Sequence, residues 1–172
     1  MILRLSSKLA TKIKVAPKAV LPLEANPLAD WSGHLFTAAR TQYLVLTNTA
    51  TLYSAIAFAR GMTNYSQFIV RALAVIRETL EDDGHEEAYL RLIVPATGTV
   101  RFSKALNRSV IGSMNDIVNH SKFFLLERGE SPFDVARRMN EMPLSMLKYN
   151  NSREAFSLLV EQRSADNDTS AK

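Results

Sequence analysis

The 172-residue chain has no cysteine. That excludes a disulfide scaffold, cysteine-ligated zinc or iron–sulfur centres and any thiol nucleophile. No G-x-S-x-G, P-loop, H-E-x-x-H or G-x-G-x-x-G segment occurs, so the common enzyme signatures are missing as well. There is no internal repeat and no low-complexity block. The first 23 residues contain no acid and lack the uninterrupted apolar run of about 7–15 residues that a secretory signal needs. Hydrophobic residues make up 47% of the chain and charged residues 22%. Those fractions suit a globular protein, and the length suits one domain with a core of its own.

The formal net charge is +4, from 21 Lys+Arg against 17 Asp+Glu. Arg4, Lys8, Lys12, Lys14 and Lys18 place a local +5 in residues 1–23, so the other 149 residues balance to −1. A Lys/Ser-containing, acid-free start has the composition of a transit peptide. The compact apolar run Met1–Leu5 favours a first strand instead, followed by a short helix capped by Ser6 or Ser7 with Leu9, Ala10 and Ile13 on one side. Nucleic-acid binding therefore depends on whether Arg4, Lys8 and Lys12 share a surface with Arg101, Lys104 and Arg108. Without interleaved aromatics such a patch is weak evidence for RNA.

The longest charge-free stretch, Thr41 to Ala59, carries too many polar groups for a membrane span. It reads as β-structure: His34–Ala38, Tyr43–Leu46 and Thr51–Tyr53 as strands, with a turn at Asn48-Thr49-Ala50. Trp31, the single tryptophan, is expected to anchor the core. From Ser66 the period turns helical, with Phe68, Ile69, Leu73, Ile76 and Leu80 on one face. An acidic connection follows around Gly84, then candidate strands Tyr89–Val94 and Thr99–Ala105. Helices are expected from Ser109 to Leu126, from the Ser131-Pro132 start to Pro143, and from a Ser152 cap through Val160. The polar end of the chain is expected to fray.

The segment Asn107-Arg108-Ser109-Val110-Ile111-Gly112-Ser113-Met114-Asn115-Asp116 is the most distinctive. A helical wheel puts Val110, Met114, Ile117, Val118, Phe124 and Leu125 on one face and Gly112, Asn115, Asp116 and Asn119 on the other. Gly112 inside a helix suggests a close approach to its backbone, by a ligand or by a neighbouring strand. Asn107 or Ser109 either caps the helix or joins Arg108 in holding an anion. Phe123 and Leu126 make the last turn apolar nearly all round, so it is either buried within the domain, the more economical reading, or offers a contact surface to a partner. Asp116 and His120, four residues apart, are helical neighbours, but two groups do not make a metal site. His85 among Asp82, Asp83, Glu86 and Glu87 reads as a solvated loop.

The sequence resembles an uncharacterised bacterial family, a domain of unknown function of about this length. The resemblance rests on Met1-Ile2-Leu3-Arg4, Asp30-Trp31, Leu46-Thr47-Asn48, Thr51-Leu52-Tyr53-Ser54 and above all the Asn107–Asp116 block. Asn140, Pro143, Ser145, Leu147, Lys148 and Tyr149 complete it. It implies a small cytoplasmic protein and carries over no reaction, substrate or catalytic residue.

The expectation is one α+β domain over residues 1–160, a mostly antiparallel sheet packed by three to four helices, with 161–172 as a polar tail. Asn48, Asn107, Arg108, Ser109, Asn115, Asp116 and Tyr149 are the candidate ligand-binding residues, and Arg4, Lys8, Lys12 and Arg101 the candidate nucleic-acid contacts. No cofactor, metal or membrane partner is expected. The first functional reading is a non-enzymatic binding or regulatory module for nucleic acid or a protein partner. The alternative is a small hydrolase or transferase acting on an anionic substrate, with Asp116 as general base and Arg108 as anion clamp.

Overall fold

Ile2, Leu3 and Leu5 favour extended backbone and are buried on both faces of strand β1 (Ile2–Leu5), which accordingly lies inside the sheet. The computed structural model describes residues 1–148 and 150–170. Its elements in chain order are β1, α1 (Ser7–Ile13), β2 (Asp30–Ala38), β3 (Thr41–Asn48), β4 (Ser54–Phe58), α2 (Tyr65–Asp82), α3 (Glu86–Ala88), β5 (Arg101–Lys104), α4 (Arg108–Glu127), α5 (Pro132–Glu141) and α6 (Ser152–Ser170). The strands form one sheet in the order β4-β3-β2-β1-β5.

This is an α+β domain, but the sheet is mixed rather than mostly antiparallel, and among the described residues six α-helices accompany it rather than three or four. Strand β1 runs parallel to both β2 and β5, whereas β2-β3-β4 is the antiparallel meander. Long connections between β1 and β2, and between β4 and β5, return the chain in the same direction, as parallel pairing requires. The expected strand Tyr89–Val94 is helical: a π turn over Tyr89–Ile93 runs into a 3-10 turn over Val94–Gly98. Tyr89, Leu92 and Ile93, at helical spacing, are the residues it buries. The third meander strand starts at Ser54, and Thr51–Tyr53 belongs to the turn before it. Helix α6 is capped by Asn151, which accepts from Glu154 N–H at 2.8 Å, and it continues to Ser170, into the part expected to fray.

Helices cover both faces of the sheet. On one, Leu3, Leu5, Trp31, Leu35, Leu44 and Leu46 pack with Leu9 and Ile13 of α1, Phe68, Ala72 and Ile76 of α2, and Phe156 of α6. Trp31 is fully buried there as expected, its indole N–H bonded to Leu28 O at 2.8 Å. Gly33 belongs to this face because a Cβ there would lie 2.7 Å from Leu9 Cδ2, so its absence lets α1 sit down on β2. On the other face, Phe36, Tyr43, Val45 and Ile56 pack with Val110, Met114, Ile117 and Val118 of α4 and Val135, Ala136 and Met139 of α5.

A polar row crosses that second face in register: Ser103, Arg4, Ser32, Thr47 and Ser54, one from each strand and all buried. Ser32 bonds Thr49 at 2.9 Å and Thr47 bonds Ser54 at 3.0 Å. Asn140 of α5 closes the row by accepting from Ser54 N–H at 2.7 Å and donating to Ser54 O at 2.9 Å. Among the described residues no buried side-chain nitrogen or oxygen lacks a partner. No described helix is long and apolar enough to cross a membrane.

Candidate functional site

Strands β1 and β5 stop at Leu5 and Lys104, whereas β2 continues beyond its partner position Gly33 to Ala38. The space they vacate at their carboxyl ends is a groove of about 770 Å³ between α1 and α4. Grooves at the carboxyl ends of parallel strands are common ligand sites in α/β sheets. After β1, Ser6 N–H bonds Gly33 O at 3.0 Å and Ser6 Oγ accepts from Leu9 N–H, turning the chain at once into α1. Lys14, in the left-handed conformation, ends that helix, with Val15 N–H returning to Ala10 O at 3.0 Å. The chain then runs back along the groove through Val15, Ala16, Pro17 and Val20. It is pinned to β5 where Lys104 N–H donates to Ala19 O at 3.1 Å. Ile111, Met114 and Asn115 of α4 form the opposite wall.

The lining is apolar with cations at its edge. Lys8 and Lys104 are exposed lysines on the groove, the buried Arg4 and half-buried His34 line its wall, and among the described residues no Asp or Glu lines it. Burial, aided by Lys8 and Lys122, holds the His34 imidazole below its ordinary pKa.

Of the residues expected to bind a ligand, Asn115 is the one on this groove. Asn48 is fully buried and its amide is used up locally. It accepts from the Ala50 and Thr51 N–H groups and the Thr51 hydroxyl, and donates to Pro27 O and Asp30 O. Asn107 caps α4, accepting from Val110 N–H at 2.9 Å. Arg108 and Ser109 are exposed in the first turn of α4 and do not line the groove. Asp116 is likewise exposed and off the groove; the contact with His120 runs from Nδ1 to the Asp116 backbone oxygen at 2.9 Å, not to the carboxylate. Tyr149 lies outside the described residues.

Of the residues expected to meet nucleic acid, Lys8 lines the groove and Lys12 is half-buried on α1. Arg101 is bound to Glu24 at 2.7 Å. Burial pushes the Glu24 carboxyl up, but the Arg101 bond and the Ala25 N–H outweigh it and hold it below its ordinary value. Arg4 needs correction. Its side chain is 0% exposed and paired with Asp30, so a phosphate backbone cannot reach it.

Gly112 also departs from one expectation: outside its own helix backbone a Cβ there would meet nothing within 4 Å among the described residues, so no neighbouring strand packs on it. Phe123 and Leu126 remain 50% and 48% exposed, against the expectation that the domain buries them. His85 bonds Ser157 Oγ at 3.1 Å and packs on Phe156, and no group of three or more His, Asp or Glu suited to a metal occurs among the described residues. Sequence reading missed His34, Ser6 and the Val15–Val20 return as parts of one site. The available signal was His34 itself, a titratable residue two positions from Phe36 on β2 and so on the same sheet face.

No curated protein and no solved structure matches the chain. A family model described as a domain of unknown function (DUF6933) matches residues 2–155, from β1 into the first turn of α6. The chain belongs to that family.

Proposed function

We propose that this protein is a non-enzymatic binding module that holds a small organic anion, with an apolar body, in the groove between α1 and α4. One observation carries the reading: the groove has mainly apolar walls, Lys8 and Lys104 on it, and no carboxylate in its lining among the described residues. Apolar surface removed from water supplies the general attraction, and the lysines select the sign of the head group. The volume of about 770 Å³ accommodates a ligand of metabolite size.

Nucleic acid and the enzymatic alternative are supported less. Of the four cations proposed for phosphate contact, Arg4 is sealed inside and Arg101 is held by Glu24. Asp116 and Arg108 are both off the groove, which leaves the general base and anion clamp without a shared cavity.

Titration calorimetry with octanoate, octane-1-sulfonate and octyltrimethylammonium tests the reading. Both anions are expected to bind and the cation not. Reversing Lys8 or Lys104 to Glu should weaken the anions by at least about tenfold. Equal binding of the cation would sink it. Duplex DNA or RNA binding that falls steeply with salt and is lost in Lys8→Glu and Lys12→Glu would favour the nucleic-acid reading instead.

A further inference from the structure

His34 is a half-buried imidazole in the groove wall, and among the described residues it has no hydrogen-bond partner. The charged groups around it are of one sign: Lys8 from α1, Lys122 from α4, and Lys104 on β5. Arg4, one pleat away on the same sheet face, is matched by Asp30. From β3 the paired neighbour is Val45, which has no charge.

In the free protein such a site opposes an imidazolium, because burial strips it of water and the lysines repel it. The negative charge of an anion seated in the groove offsets both effects. The anion screens Lys8, which lines the same groove, from the ring, and it offers a charged acceptor to a ring N–H that no described protein group accepts from. We infer that His34 takes up a proton from solvent as the anionic head group is seated, so that ligand binding in this groove is coupled to protonation. The inference rests on the anion-binding reading above and adds to it a direction: the ligand is held more tightly as pH falls. The coupling is reciprocal, so ligand raises the proton affinity of His34 by the same factor by which protonation raises the affinity for ligand. Between the free and bound titration points one linked proton changes Kd by about tenfold per pH unit.

Octane-1-sulfonate is the probe, because its strong-acid head group keeps one negative charge across this range and any proton taken up belongs to the protein. Its binding heat is measured near pH 6.5, the ordinary imidazole value, in two buffers of different ionisation enthalpy. The expected result is a buffer-dependent heat reporting proton uptake in the native protein, and its loss in His34→Gln. That variant should still bind the sulfonate, with an affinity that no longer strengthens on acidification. Binding with a buffer-independent heat in the native protein would overturn the proton coupling and leave anion binding intact. Uptake that persists unchanged in His34→Gln would overturn it too, by placing the proton elsewhere. No binding of the sulfonate at any pH would remove the anion-binding reading and the coupling with it.

Discussion

The guanidinium of Arg4 meets the carboxylate of Asp30 through two bonds of 2.7 Å, Nε to Oδ1 and Nη2 to Oδ2, with both side chains wholly inside the protein. Arg4 also donates to Leu21 O at 2.8 Å, to Pro22 O at 2.9 Å and to Ser103 Oγ at 3.3 Å, while Asp30 accepts from Glu24 N–H at 3.0 Å. One ion pair thus ties β1 to β2 and ties both to the 21–24 segment of the connection that borders the groove.

Removing either partner leaves an uncompensated buried charge. Arg4→Ala and Asp30→Ala are each expected to cost about 3–5 kcal/mol in urea unfolding. The double substitution Arg4→Met, Asp30→Leu removes both charges but strands the Leu21 and Pro22 carbonyls and the Glu24 N–H. It should therefore recover part of the loss and not all of it. Full recovery would show that the bonds to the connection contribute nothing.

Asn140 holds strand β4 at the sheet's edge. Its amide bonds both backbone groups of Ser54 and lies 3.1 Å from the Ser152 hydroxyl, so it links α5, β4 and the start of α6. Asn140→Ala leaves those buried groups without partners and should cost about 2–4 kcal/mol. Asn140→Asp keeps an acceptor for Ser54 N–H but loses the donor to Ser54 O and buries a carboxylate, so it should be no better. Hydrogen exchange at β4 amides reads the effect locally, and unchanged protection there would count against the clamp.

Much of the fold could be read from local patterns, and most of the site could not. The wheel through Val110, Met114, Ile117 and Val118 identified the buried face of α4, and Ser131 caps α5 as its Ser-Pro start implied, accepting from Asp134 N–H at 3.1 Å. Tyr89, Leu92 and Ile93 misled because a short apolar run fits a strand as well as a helical turn. The parallel pairing of β1 was invisible for a different reason: register with β5 joins residues about a hundred positions apart, which no local pattern encodes. The groove shares that difficulty, since it arises from unequal strand lengths and not from a motif. Asn48 and the Asn107 cap stood out in the sequence because they organise backbone, which is how they are used.

Gly112 faces open space from within α4, with no described atom outside its own helix backbone within 4 Å of the Cβ it lacks. The helix therefore carries the conformational cost of glycine with no packing return. Gly112→Ala should raise stability by about 1 kcal/mol. Thermal unfolding checks it, and a fall in stability would mean that some neighbour needs the space.

Two histidines set the protein's response to mild acid. Burial holds the imidazole of His34 below its ordinary value, with Lys8 and Lys122 adding to the effect. Burial does the same for His85, helped by Arg153 and opposed by Asp83. Each ring therefore binds fewer protons folded than unfolded, and stability rises with pH between the two titration points. Their contribution is complete above the unfolded value of about 6.5 and is lost as pH falls through the folded values. Glu24, lowered from a value of 4.5, acts in the same sense only in stronger acid, so it leaves the interval above about pH 5 to the histidines. Urea unfolding of the free protein between about pH 8 and 5 should show stability falling from about 6.5 downward. His34→Gln and His85→Gln should each flatten that fall, and the double variant should flatten it further, because the two sites share no partner. An anion bound in the groove should remove the His34 share of the slope while leaving that of His85, which packs instead against Phe156 and Ser157 of α6.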